Sequence, residues 1–152
     1  MACEFINGDG IVFCVWGKPA KSDMDQLLRH LQTSSEKVSG PVVYVSRVPV
    51  NAPAPDTQVR GYLNSLMPAM TPLFSSCHIV LEGVGFTAAM KRSVLVSLFQ
   101  IGRQRNMFFV HSSVSEVVWK VPVEQQAAVN RTIRRAEASG LLSSSPPASQ
   151  VA

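Results

Sequence analysis

Apolar residues along this chain alternate between strand-like runs and helix-like stripes. Two short apolar runs, over 3–6 and 11–16, flank the stretch Asn7-Gly8-Asp9-Gly10. Asn-Gly and Asp-Gly pairs accept the positive φ angles of tight turns, so these runs are predicted to form an N-terminal β-hairpin. Three further strands are predicted over 41–50, 78–82 and 107–111, where apolar residues follow one another as in strands buried on both faces.

The first predicted helix follows the hairpin. Ser22 with Asp25 resembles a capping box, which satisfies the free N–H groups of a helix start. The helix is predicted to end near Gly40. Its apolar stripe has the spacing i, i+3, i+4, i+7 and consists of Met24, Leu27, Leu28 and Leu31.

The second predicted helix follows a proline-containing loop. Asp56 is a natural N-cap, and Pro68 and Pro72 are expected to kink this helix or to end it early, because proline lacks the backbone N–H. Its apolar face consists of Val59, Tyr62, Leu63 and Leu66.

Three more helices are predicted after the fourth strand. Thr87 is expected to cap a helix over 87–105, and Ser113 with Glu116 forms a second capping box. A last helix is predicted from 122 or 123 to 140, where glycine suits a C-cap. The apolar positions of the short helix after Ser113 are Val114, Val117, Val118 and Val121.

The alternation of strands and helices predicts the fold class. It indicates an α/β domain with a mixed five-stranded sheet and helices packed on its faces. The length of 152 residues fits one domain, which is predicted to span 1–140. Residues 141–152 are rich in Ser and Pro and carry no charge, so they are predicted to form a disordered tail.

The charges are few and unevenly placed. Charged residues make up 16% of the chain, which favours a neutral or apolar surface and a protein partner or homo-oligomer. Residues 83–115 carry Lys91, Arg92, Arg103 and Arg105 and no acid. A basic helix of this kind can meet nucleic acid, lipid or an acidic protein, or can simply be a solvated face.

Cysteine usage and hydropathy predict the compartment. The three cysteines have no C-x-x-C spacing, which argues for a reducing environment and against a zinc site. The first residues do not have the pattern of a signal peptide, and no apolar run approaches the ~20 residues of a membrane span. The chain is therefore predicted to be soluble and cytoplasmic.

No set of residues has the pattern of a catalytic or cofactor site. His78 is predicted to open the fourth strand and His111 to close the fifth, so these histidines should lie at opposite ends of the sheet and share no metal. The stretch 83–88 fits G-x-G-x-x-A, but no acid follows at the end of the next strand, which favours a tight turn over a dinucleotide site. We therefore expect no enzymatic activity, no metal and no cofactor.

The order strand, strand, helix, strand, helix, strand, helix, strand, helix resembles the STAS domain, the fold of anti-sigma-factor antagonists and sulfate-transporter tails. The last unit is similar to the SpoIIAA-like branch, which often ends in an aromatic strand, a serine-containing turn, Glu and then Trp. The matching residues are Phe108, Phe109, Ser112, Ser113, Glu116 and Trp119. The resemblance implies a STAS-like fold and a role in signalling.

The same resemblance points to the start of the second helix. STAS antagonists are phosphorylated in an Asp-Ser-Ser-Gly stretch there, and this chain has Asp56-Thr57-Gln58-Val59, which retains the Asp and one hydroxyl. Thr57 is thus a candidate phosphorylation site, although an ordinary Asp N-cap also explains the pair. Candidate anion-binding residues on the next helix are Thr87, Lys91 and Arg92. The predicted partner-binding residues are Val50, Asn51, Pro53, Pro55, Asp56, Thr57 and Arg60.

Three functions follow from these observations. The first is a non-catalytic, cytoplasmic protein-interaction or signalling module of the SpoIIAA-like type. The second is a carrier of a small apolar or anionic, lipid-like ligand, in which Met67 and Met70 beside Pro68 flex to open a pocket. The third is an anion or nucleic-acid binder through the helix over 87–105, which the low aromatic content does not favour.

Overall fold

The computed structural model describes residues 3–49, 56–82 and 108–140. Several predictions lie outside these ranges. They concern Val50, Asn51, Pro53 and Pro55, the helix over 87–105 with Thr87, Lys91 and Arg92, the glycine-containing stretch 83–88, and the tail 141–152.

The described strands form one mixed sheet. They are β1 (Glu4–Gly8), β2 (Ile11–Val15), β3 (Val42–Val48), β4 (Phe74–Leu81) and β5 (Phe108–His111). The strand order is β1-β2-β3-β4-β5, with β1 antiparallel to β2 and the remaining neighbours parallel. The predicted α/β fold with a five-stranded mixed sheet and an N-terminal hairpin is confirmed.

The hairpin turn has the predicted chemistry. Gly8 pairs with Ile11, so Asp9 and Gly10 form a two-residue loop. Both have positive φ, 56° and 77°. This conformation matches the right-handed twist of the flanking strands and costs little in glycine.

Helix α1 (Lys21–Val38) begins at a different cap from the predicted one. The carboxylate of Asp23 accepts hydrogen bonds from the backbone N–H groups of Ala20 (2.8 Å) and Cys3 (3.2 Å). The Ser22–Asp25 capping box is therefore wrong, because Asp25 instead accepts a hydrogen bond from the Tyr62 hydroxyl. Asp23 thus fixes both the start of α1 and the chain that enters β1.

Helix α2 (Thr57–Met70) confirms the predicted N-cap, since Asp56 accepts a hydrogen bond from the Val59 N–H at 2.9 Å. The α-helix ends at Met70, between the two prolines that were expected to kink it or to end it early. Pro68 lies in the last turn of the helix, where its missing N–H costs one hydrogen bond and leaves the preceding turns intact. A 3-10 turn over Thr71–Leu73, with Pro72 inside it, then leads into β4.

The two remaining described helices are α3 (Ser115–Val118) and α4 (Val123–Ala138). Helix α3 is shorter than predicted, and its start is not a Ser113 capping box. Glu116 folds back as expected, but its carboxylate accepts a hydrogen bond from the Ser112 N–H at 3.0 Å. Helix α4 confirms the last predicted helix, and Gly140 follows it with a φ of 84°.

The helices cover both faces of the sheet. On the first face, α1 and α2 pack against the sheet around Leu31, Tyr44 and Leu63. On the second face, α3 and α4 pack around Phe13, Val45 and Val117. All seven residues of β3 are buried, which accounts for the apolar run that opens the strand, and the burial extends to the polar Ser46 and Arg47 near its end.

We predict that Gly10→Ala lowers the free energy of unfolding by about 1–2 kcal/mol, because a Cβ is strained at positive φ. Gly40→Ala is the matched control. A Cβ at Gly40 meets no atom within 4 Å, so its effect should stay within about 0.5 kcal/mol or be stabilising. Urea unfolding measures both changes, and equal losses in the two variants would contradict the turn geometry.

Candidate functional site

The parallel strands bring several polar residues to one edge of the sheet. We call this the carboxyl edge and define it by Arg47–Val48, Leu81–Glu82 and His111–Ser112, where β3, β4 and β5 end. Arg47 pairs with Val80 and Val80 with His111, so these three residues form one row on the second face. Ligand and partner sites of open α/β sheets commonly lie at this edge.

A buried ion pair connects two of the strand ends. The Arg47 side chain is 1% exposed, and its Nε and Nη2 donate to Glu82 Oε2 and Oε1 at 3.0 and 2.7 Å. The Glu82 N–H also donates to the Val48 carbonyl at 3.2 Å. This two-point contact fixes Glu82, which remains partly exposed at the edge, in a single orientation.

This pair is not among the residues predicted from the sequence to form a site. Arg47 interrupts the apolar run of the third strand. A cation inside a strand that is predicted to be buried requires a partner of opposite charge, so its position was a usable signal. The identity of the partner depends on the pairing of β3 with β4, which no local pattern gives.

Two histidines that were predicted to lie apart are in contact. His78 Nδ1 is 3.0 Å from His111 Nε2, and His78 Nε2 is 2.8 Å from the hydroxyl of Ser76. The prediction of opposite ends is wrong because β4 begins at Phe74, which places His78 inside the strand. The register then brings the two imidazoles together on the second face.

Burial keeps this cluster uncharged. Burial, with a smaller effect of His111, lowers the pKa of His78 to about 3. Burial also lowers the pKa of His111, whereas Glu116 acts to raise it and Lys120 to lower it. Both imidazoles are therefore neutral at pH 7 and form a hydrogen-bonded chain with Ser76. His78 has no exposed surface from which a substrate could be contacted.

The segment that follows α3 and the first residue of α4 each expose one large apolar side chain. Trp119 is 78% exposed and Val123 is 80% exposed. Beneath them, Val117 and Val121 are buried in the core of the second face. Because α3 follows directly from β5, these exposed side chains lie near the carboxyl edge. We call Trp119 and Val123 together the Trp119 surface.

The described part of the predicted partner-binding site lies at the same edge on the other face. Helix α2 leads through the 3-10 turn into the beginning of β4, so its N-terminus lies toward the carboxyl edge. Asp56 and Thr57 are exposed. Arg60 Nη2 donates to the Thr57 hydroxyl at 3.3 Å. The structure therefore places Asp56, Thr57 and Arg60 together.

The methionines invoked for a ligand pocket are core residues. Met67 and Met70 are buried within the cluster of the first face, beside residues of α1 and the sheet. Among the described residues they fill space between helix and sheet.

Within the described ranges, no helix has the length and apolar character that a membrane span requires. The same residues hold no group of three or more His, Cys, Asp and Glu side chains that could bind a metal ion. No protein-family model, curated protein or solved structure matches the chain.

The histidine cluster predicts a loss of stability in acid. The unfolded chain takes up a proton at His78 below about pH 6.5, whereas folded His78 does so only near pH 3, so stability falls as the pH is lowered between these values. The expected slope from this residue is about 1.4 kcal/mol per pH unit. Urea unfolding at pH 7 and pH 4.5 measures it.

His78→Gln is the comparison variant, because an amide retains hydrogen-bonding groups but does not titrate. Between pH 7 and pH 4.5, its free energy of unfolding should fall by about 2–3 kcal/mol less than that of the unsubstituted protein. The same pH dependence in both proteins would show that His78 titrates normally in the fold.

Proposed function

We propose that this chain is a non-catalytic, STAS-like protein-interaction module of the cytoplasm, which docks a partner protein at its carboxyl edge. The observation that carries the proposal is the 78% exposure of Trp119. Tryptophan is highly buried on average in folded proteins and is enriched among the residues that dominate binding energy at interfaces.

The Trp119 surface has the properties of an anchor. An interface anchor must be exposed in the free protein and held rigidly, so that little conformational freedom is lost on binding. Val117 and Val121 on either side of Trp119 are fixed in the core, and the Gln125 N–H donates to the Pro122 carbonyl at 2.9 Å. When a partner buries the indole and the nearby valine, the removal of this apolar surface from water contributes several kcal/mol to the binding free energy.

The start of α2 carries polar groups at the same edge of the sheet, on the opposite face from Trp119. Asp56, Thr57 and Arg60 carry a carboxylate, a hydroxyl and a guanidinium within one helical turn. If Thr57 is phosphorylated, the helix N-terminus and Arg60 both stabilise the added charge. Such a modification would change the charge of the docking edge, as the resemblance to STAS antagonists implies.

The occupant that we propose is a different protein and not a second copy of the chain. The exposed groups around Trp119 have mixed charge, with Glu116, Lys120 and Glu124 in its vicinity along the chain. A small apolar anchor inside a polar rim is typical of an interface that forms and dissociates. If a second copy were the occupant, the protein would form a homo-oligomer that dissociates when Trp119 is replaced.

We predict that Trp119→Ser abolishes capture of a specific partner by the tagged protein from its own cells. Removal of a dominant aromatic anchor costs about 2 kcal/mol or more, which is about thirtyfold in affinity. The fold should be unaffected, because the side chain is exposed. Quantitative mass spectrometry of the captured proteins, together with thermal unfolding of the variant, measures both effects.

Val38→Ser is the matched control. Val38 is 44% exposed at the end of α1, close to the hairpin turn and away from the carboxyl edge. It should leave capture unchanged. Equal capture by the Trp119 and Val38 variants would contradict the proposed docking site, and a homodimer that dissociates in Trp119→Ser would identify a second copy as the occupant.

A further inference from the structure

Strand β1 forms one edge of the described sheet. Gly8 and Ile11 flank the two-residue turn, so they form a hydrogen-bonded pair. Hydrogen-bonded pairs alternate along an antiparallel ladder, so Ile6 and Phe13 form the next one. The intervening residues Phe5 and Asn7 must therefore direct their backbone N–H and C=O groups away from β2. One of these groups has a partner, since the Asn7 carbonyl accepts a hydrogen bond from Arg135 Nη1 at 2.9 Å.

A polar cleft runs between this edge strand and α1. Its volume is about 380 Å³, and it is lined by Asn7, Gln26, Arg29, His30 and Thr33. The four helix residues have the spacing i, i+3, i+4, i+7 and therefore form one stripe along α1. A smaller cleft of about 70 Å³ continues from Asn7 toward the hairpin turn and adds Ser34 and Lys37.

The cleft holds hydrogen-bond donors that the protein does not use itself. Within the described residues, the side chains of Gln26, Arg29 and Thr33 have no hydrogen-bond or ion-pair partner. His30 is held in place, because its Nδ1 is 2.7 Å from Asn7 Nδ2 and its ring stacks on Phe5 at 4.4 Å. None of the described residues that line the larger cleft carries a carboxylate.

Basic side chains flank the edge strand on both faces of the sheet. Arg29 and Lys37 lie on the side of α1. On the side of α4, Arg135 contacts the strand backbone and Arg131 pairs with Asp9 at 3.1 Å. The remaining carboxylate of the strand, Glu4, alternates with Phe5 and so belongs to the second face. Asp9 neutralises Arg131, so the positive charge beside the strand comes from Arg29, Lys37 and Arg135, which have no ion-pair partner among the described residues and favour a ligand with negative charge.

We propose that an extended acidic peptide segment of a partner protein adds to β1 as a further strand and places its carboxylates in the cleft between β1 and α1. Main-chain hydrogen bonds to Phe5 and Asn7 supply affinity, and Arg29 selects acidic side chains. Arg135 then moves from the Asn7 carbonyl to the incoming chain. This surface is separate from the Trp119 surface and does not depend on it.

The test uses a blocked octapeptide in which glutamate and threonine alternate, so that all its carboxylates lie on one face when it is extended. Titration into ¹⁵N-labelled full-length protein should shift the amide signals of Phe5, Asn7 and Arg29–Thr33 in a saturable way. A peptide with lysine in place of glutamate should cause no such shifts. Absence of shifts with the glutamate peptide, or equal shifts with the lysine peptide, would overturn the proposal.

Two N-methylated versions of the peptide test strand addition directly. In one version the glutamate nitrogens are methylated, and in the other the threonine nitrogens, so each version blocks hydrogen bonding along one edge of the peptide. The version methylated on the edge that faces β1 should fail to bind, and the other should bind as before. Equal binding of both would mean an ionic contact without strand pairing and would overturn the proposal.

Variants of the protein complete the test. Arg29→Glu should weaken binding of the glutamate peptide by about fivefold to tenfold, because an attractive charge becomes repulsive. Lys120→Glu makes the same change in net charge at the carboxyl edge and should have no effect. Trp119→Ser should also bind the peptide normally, so failure of this proposal is distinguishable from failure of docking at the Trp119 surface.

Discussion

The charge of Arg47 is the constraint on which the arrangement of the sheet depends. Arg47 lies in a strand whose seven residues are all buried, and a buried guanidinium needs a partner of opposite charge. Its charge must therefore be paired within the protein, and Glu82 provides two hydrogen bonds to it. The Glu82 side chain is 23% exposed, so loss of the pair costs less than the ~3–5 kcal/mol of a fully buried pair, but the contact still holds the ends of β3 and β4 together.

The functional surfaces follow from how the helices cover this sheet. Helices α1 and α2 cover the first face, and α3 and α4 cover the second. At the carboxyl edge, the turn after α3 buries its valines and leaves Trp119 outside. At the far side of the sheet, the helices do not cover the outer edge of β1, and only Arg135 contacts its backbone there among the described residues. Both candidate surfaces, the Trp119 surface and the outer edge of β1, thus lie where the helices no longer cover the sheet.

Local patterns predicted the parts of the fold that depend on local chemistry. The Asp-Gly turn, the Asp56 cap and the strand-helix alternation were readable because each is determined by a few neighbouring residues. The first cap was misassigned because Asp23 and Asp25 lie close together, and only the packing of Tyr62 decides between them. The beginning of β4 was predicted too late, because the exposed Ser75 interrupts the apolar pattern at the start of the strand. The contact of His78 with His111 was missed for the same reason, since it depends on the register of β4 with β5.

A double-mutant cycle on the central ion pair tests this account most directly. Urea unfolding of Arg47→Met, Glu82→Gln, the double variant and the unsubstituted protein gives the coupling energy between the two side chains. The structure predicts a coupling of at least about 2 kcal/mol, with the double variant more stable than the sum of the single effects implies. A coupling below about 0.5 kcal/mol would show that Arg47 and Glu82 do not hold the carboxyl edge together.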